Sequence, residues 1–243
     1  MQPQQLYNLS PALHVMLMGI AVALGPLAWM WSRKLEGGAA RRLQALTLLT
    51  LFLTFDLVMF GAFTRLTDSG LGCPDWPGCY GHASPIGAST QIGAAQAQMP
   101  TGPVTHTKAW IEMIHRYLAT GVGVLIITLL VVTWYERKRG AAVSPWWPAI
   151  TLAWVCVQGA FGAFTVTLKL LPAIVTMHLL GGIVLLALLV RQGVAYEHAQ
   201  AGVDRATLSP ALRAGLIATL ALLWLQVALG GWVSTNYAVL ACA

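Results

Sequence analysis

Six apolar blocks of about 20 residues, separated by polar connections, constrain this chain more than any other feature. They fall near 11–31, 43–64, 109–134, 147–167, 173–191 and 213–234. Each is long enough to cross a hydrocarbon layer about 30 Å thick. None alternates apolar and polar residues as the strands of a membrane barrel would. Charged residues make up 9% of the chain, whereas a soluble domain carries about 25%. Six spans of ~21 residues use about half the chain and leave little for a water-soluble domain. The fold class that follows is an all-α membrane protein with six transmembrane helices.

The net charge is +6, and its placement gives a topology. Ten basic residues fall in three connections: Arg33, Lys34, Arg41 and Arg42; Arg137, Lys138 and Arg139; Arg191, Arg205 and Arg213. The opposite side has only Arg65, Lys108 and Lys169, and Arg116 lies inside a span. Positive residues in alternate short connections mark the cytoplasmic side, so the N-terminus is expected outside. This use of basic residues gives no reason to expect a nucleic-acid partner; the partner it implies is membrane lipid. The first span lacks a positive segment before it and a small-residue cleavage site after it, unlike a signal peptide. Residues 65–108 form one long outward loop, a length associated with function or disorder.

The outward ends of spans two, four and six resemble one another. The string FGAFT begins at Phe60 and recurs at Phe161. The end of span six keeps Gly230 against Gly61, Trp232 against Phe63, Leu240 against Leu71 and Cys242 against Cys73. Gln158 and Gln226 each stand three residues before their copy. Small residues also suit close helix packing, but packing does not require the matching Leu-x-Cys beyond the membrane. The repeat implies a threefold division of the chain. Residues 1–42 form an N-terminal helix and basic loop. Residues 43–195 form a four-helix unit. Residues 196–243 form a linker and the first helix of a second, incomplete unit, so a shortened form of a longer two-unit protein is expected.

Ionisable residues within a membrane are costly and mark function. Here they are Asp56, Glu112, His115, Arg116 and His178, with His14 near the edge of span one. Counting inward from Ala109 and Pro172, His115 and His178 both lie about 9 Å deep on co-directional helices. Two imidazoles at one depth suit axial ligation of a haem iron; the alternative is that each hydrogen-bonds a neighbouring helix. Zinc is disfavoured, since closed zinc sites want four ligands. Glu112, His115 and Arg116 share one helix face. Either Glu112 and Arg116 form an ion pair, or Arg116 meets a haem propionate while Glu112 stays by the macrocycle as a proton acceptor or charge stabiliser. Asp56 suits a structural hydrogen bond or a proton relay. Cys73 and Cys79 bracket a tight C-P-D-W-P-G-C loop; a disulfide, free thiols and redox exchange with a partner all fit. Cys156 is expected to pack within span four.

Three segments together resemble the heme A synthase family: GAFTRLTDSGLGCPDWPGCYG (61–81), EMIHRY (112–117) and PAIVTMHLLGG (172–182). The resemblance implies oxidation of a methyl group of heme O to a formyl group, giving heme A for cytochrome c oxidase. It implies His115 and His178 as iron ligands, Glu112 as the catalytic glutamate and Cys73–Cys79 as the outward cysteine pair. It also implies a bacterial inner membrane location, heme B in a second half, and a heme O synthase and an electron donor or acceptor as partners. The residues alone leave a bis-histidine electron-transfer or haem-delivery protein as the alternative.

Overall fold

A computed structural model describes residues 9–33, 38–201 and 207–238. Seven helices occur in order: α1 (Ser10–Ser32), α2 (Gly38–Leu66), α3 (Ser89–Gln98), α4 (His106–Lys138), α5 (Trp146–Thr167), α6 (Pro172–Ala201) and α7 (Pro210–Thr235). All except α3 are long and apolar enough to cross a membrane, and the described residues contain no strand. The chain is an all-α, multi-pass membrane protein. Leu240 and Cys242, the repeat positions past span six, lie outside the described residues, as do Lys34 and Arg205.

The helix ends are set by local chemistry. Thr105 caps α4 by accepting from the Lys108 N–H at 3.2 Å, and Ser209 caps α7 by accepting from Leu212. Buried threonines inside the spans donate to the carbonyl four residues back, as Thr47, Thr50, Thr54 and Thr133 do. That satisfies their hydroxyls without a partner helix.

α2 packs against both α4 and α6, and α5 packs against the same two helices. No close backbone approach joins α4 to α6, or α2 to α5. The four therefore form a ring in which α4 faces α6 across the centre. α1 lies outside the ring against α4, where Gly121 meets Val22. α7 lies outside against α6, where Gly231 meets Leu179.

The apolar core fills only the half of the ring away from the long loop. It includes Leu43, Leu46, Val122, Ile126, Leu129, Leu185 and Leu189. Its polar members are paired: Tyr196 with Thr133 at 2.7 Å, and Gln192 with both Thr47 and Thr151 at 3.1 Å. Buried polar groups so satisfied cost little.

Loop 65–108 is folded over the other end. Ala88 and Ile92, at the start of α3, join Cys73, Cys79, Val15 of α1 and Met113 and Tyr117 of α4 in a second core. Gly72 passes so near α4 that an added Cβ would lie 2.6 Å from the Ala109 nitrogen.

The repeat extends to the backbone. The eighth residue after the start of each copy, Asp68, Lys169 and Tyr237, takes a left-handed φ of 52°, 50° and 53°. Each donates its N–H to the carbonyl three residues back, on Arg65, Val166 and Ser234. The three helices thus end in one conformation, although the residues at the bend share no side-chain type.

Two expectations fail. Asp56 is exposed on α2 and has no hydrogen-bond partner among the described residues, so it makes no structural bond to a neighbouring helix. It shares its outward face with Phe52, Phe55 and Met59. Cys156 is exposed on α5 and is not a packing residue.

Candidate functional site

α4 carries His115 and α6 carries His178, the two helices that face each other across the ring. α4 begins at His106, three residues before the start that sequence suggests, because the Thr105 cap lengthens it beyond the apolar run. Each imidazole sits against the glycine of an FGAFT string. A Cβ on Gly61 would lie 3.1 Å from His115 Nε2, and one on Gly162 would lie 3.8 Å from His178 Nε2. The Phe60 ring also stacks on His115, with centroids 6.3 Å apart and planes 9° apart. The α2 copy of the string therefore serves the α4 histidine, and the α5 copy serves the α6 histidine.

The apolar core begins at Val122 on α4 and Leu185 on α6, each seven residues past its histidine. Above that level each histidine lies against a glycine. Gly61 and Gly162 are site residues that hydropathy and charge do not reveal; the signal lay in the unchanged repeat.

Two observations test whether this place fits a metalloporphyrin. His178 Nδ1 is buried and has no hydrogen-bond partner among the described residues. Among the described residues no hydrogen bond ties His178 to a neighbouring helix. The described residues also contain no group of three or more histidine, cysteine or carboxylate side chains placed to hold an ion. Two imidazoles suit a metal whose remaining ligands would come from a macrocycle. The residues fit the group.

Glu112 lies one turn before His115, buried in an ion pair with Arg116. Its second oxygen accepts the Cys73 N–H at 2.7 Å. Arg116 also donates to the carbonyls of Asp75, Pro77 and Gly78. Of the two readings of this pair, the geometry takes the ion pair, and Arg116 is occupied as the staple of the loop. Cys73 and Cys79 are joined in a disulfide with Cα atoms 4.9 Å apart. The Asp75 carboxylate accepts the N–H groups of Tyr80 and Gly81 and closes the turn. Disulfide, loop and Glu112 are thus one connected unit.

Arg65, four residues after Gly61, lies one turn nearer the loop on the same face of α2. It is half-buried, donates to the Ser234 carbonyl at 2.5 Å and stacks on Tyr237. It forms no ion pair among the described residues. His14 bonds to Ser10, His82 lies in the loop, and His106 and His198 lie towards the ends of α4 and α6.

Gly61→Ala is expected to push the His115 ring by a few tenths of an ångström and to weaken haem binding about ten-fold, as loss of precise ligand orientation does. Gly162→Ala, with more room, is expected to have a smaller effect. Haem titration of the two variants checks the order; equal affinities would remove the fit from the explanation.

The family described as COX15-CtaA, cytochrome oxidase assembly protein, matches residues 44–243. The heme A synthase of Shewanella oneidensis is 38% identical over 194 residues, covering 80% of this chain and 57% of that protein. The heme A synthase of Mesorhizobium japonicum is 29% identical over 203 residues, 76% of this chain and 54% of that protein. The heme A synthase of Oceanobacillus iheyensis is 31% identical over 129 residues, 53% and 37% respectively. The chain spans roughly half the length of the Shewanella oneidensis and Mesorhizobium japonicum proteins it matches. No solved structure matches.

Proposed function

The chain belongs to the cytochrome oxidase assembly protein family, and from that membership we propose that it binds heme O and serves its oxidation to heme A. The observation that carries this reading is the pair His115 and His178 on facing helices, each set against the glycine of a repeated string. The porphyrin iron supplies the redox chemistry by which a ring methyl becomes a formyl group.

The chain's own residues do the rest. His115 and His178 would hold the iron as its two imidazole ligands. Gly61 and Gly162 leave room for the rings, and the apolar layer from Val122 and Leu185 closes the site from below. Arg65, a half-buried guanidinium with no carboxylate partner among the described residues, takes a propionate by a charge-assisted bond. Arg116, held by the loop, instead fixes Glu112. Each Glu112 oxygen keeps a lone pair beyond its present bond, so the carboxylate would be able to accept a proton at this place.

In this reading residues 43–195 are the haem-binding unit, flanked by the N-terminal helix and loop (residues 1–42) and by residues 196–243. The protein sits in the bacterial cell membrane with its N-terminus and loop 65–108 outside. Heme B for electron transfer, a heme O synthase and an electron donor or acceptor belong to the same reading.

Pigment extraction tests it. The chain is produced in cells that make heme O, purified, and its pigment identified by chromatography. Heme A in the extract supports binding and oxidation. Heme O alone supports binding and removes the oxidation, leaving a delivery or electron-transfer role. Heme B alone contradicts both.

A further inference from the structure

Two buried side-chain atoms lack a hydrogen-bond partner among the described residues: His178 Nδ1 and Gln158 Oε1. Both lie on the α5–α6 side of the ring. Gln158 is 6% exposed. A buried glutamine need not be left so, since Gln192 on α6 bonds through both of its amide atoms, to Thr47 and Thr151. An unmet buried carbonyl oxygen is unfavourable, and this one points to a group that arrives with a ligand.

The level of Gln158 says which edge of the ligand. It precedes Gly162 by four residues on α5, so it lies about 6 Å further from the loop than the His178 contact. Its amide packs on Gly181, three residues past His178 on α6, where an added Cβ would lie 2.6 Å from Gln158 Cδ. Trp154 Nε1 donates to the Gly181 carbonyl at 2.8 Å and fixes that crossing. An iron held between imidazoles on facing helices, with a propionate at Arg65, would set the opposite edge of the macrocycle at the level of Gln158. The equivalent position on α2 is the apolar Leu57.

We propose that Gln158 accepts a hydrogen bond from a hydroxyl group on the buried edge of the bound porphyrin, and so favours a hydroxyalkyl porphyrin over one with a vinyl group there. Heme O carries a hydroxyl at that edge and heme B a vinyl group. This rests on the haem-binding reading above and adds a specificity-determining residue to it.

The test is a titration of the purified full chain with heme O, with heme B and with heme O whose hydroxyl is methylated. Gln158→Met keeps the length of the side chain and removes the acceptor. The expected result is about ten-fold weaker binding of heme O by this variant, the worth of one buried hydrogen bond, with heme B affinity unchanged. The unaltered chain is expected to bind the methyl ether about ten-fold less tightly than heme O, which needs no substitution at all. Equal losses for heme O and heme B in Gln158→Met, or equal binding of heme O and its ether, would overturn the proposal while leaving the histidine site intact. A chain that binds none of the three, or that binds them equally after His178→Ala, would overturn the haem-binding reading and this inference with it.

Discussion

Glu112→Ala is expected to lower the stability of the chain by about 3–5 kcal/mol, the cost of removing one partner from a buried ion pair. The loss has two physical sources. The Arg116 guanidinium stays buried with carbonyl partners only, and the Cys73 N–H loses the acceptor that anchors the loop to α4. Glu112→Ala combined with Arg116→Met is expected to recover some of the loss, because an apolar pair of similar volume leaves no uncompensated charge. Unfolding in mixed micelles, followed by circular dichroism, measures both. A loss under about 1 kcal/mol for Glu112→Ala would place the pair among weak surface contacts and contradict its burial.

His115→Ala and His178→Ala are each expected to weaken haem binding by about 100-fold or more. Loss of an outer-shell partner alone typically costs about 10–100-fold, and an axial ligand is the more direct contact. The double variant is expected to be little worse than either single one, since residues that act as a unit do not add. Titration in detergent reads the affinity. A single variant that binds as tightly as the unaltered chain would show that its imidazole is not a ligand.

The spans were legible because length and hydropathy suffice for them. Their ends were not, because Thr105 and Ser209 extend helices into polar sequence that hydropathy leaves out. α3 was hidden for a related reason: STQIGAAQAQ has no apolar run, and tertiary burial of Ala88 and Ile92 holds it. The FGAFT string was plain to see, yet the left-handed bends at Asp68, Lys169 and Tyr237 carry no glycine to announce them.

At the site, helical spacing brought Glu112, His115 and Arg116 together but left two roles open for Arg116. The loop carbonyls that decide between them are 38 to 41 residues away in sequence. Arg65 reads in sequence only as a basic residue on the sparse side; its contacts with Ser234 and Tyr237 of α7 and the bend after it are visible only in the structure. Gln158 reads as one matching letter, and only the packing on Gly181 shows its oxygen unmet. Hydropathy marks Asp56 as unusual, but it cannot say which way a helix turns, and the structure turns it outward.

Electron paramagnetic resonance of the chain loaded with ferric haem addresses the histidine pair most directly. The expected result is a single low-spin signal of an iron with two axial imidazoles, lost in His115→Ala and in His178→Ala alike. The same low-spin signal surviving in the double variant would contradict the assignment of these two residues to one iron.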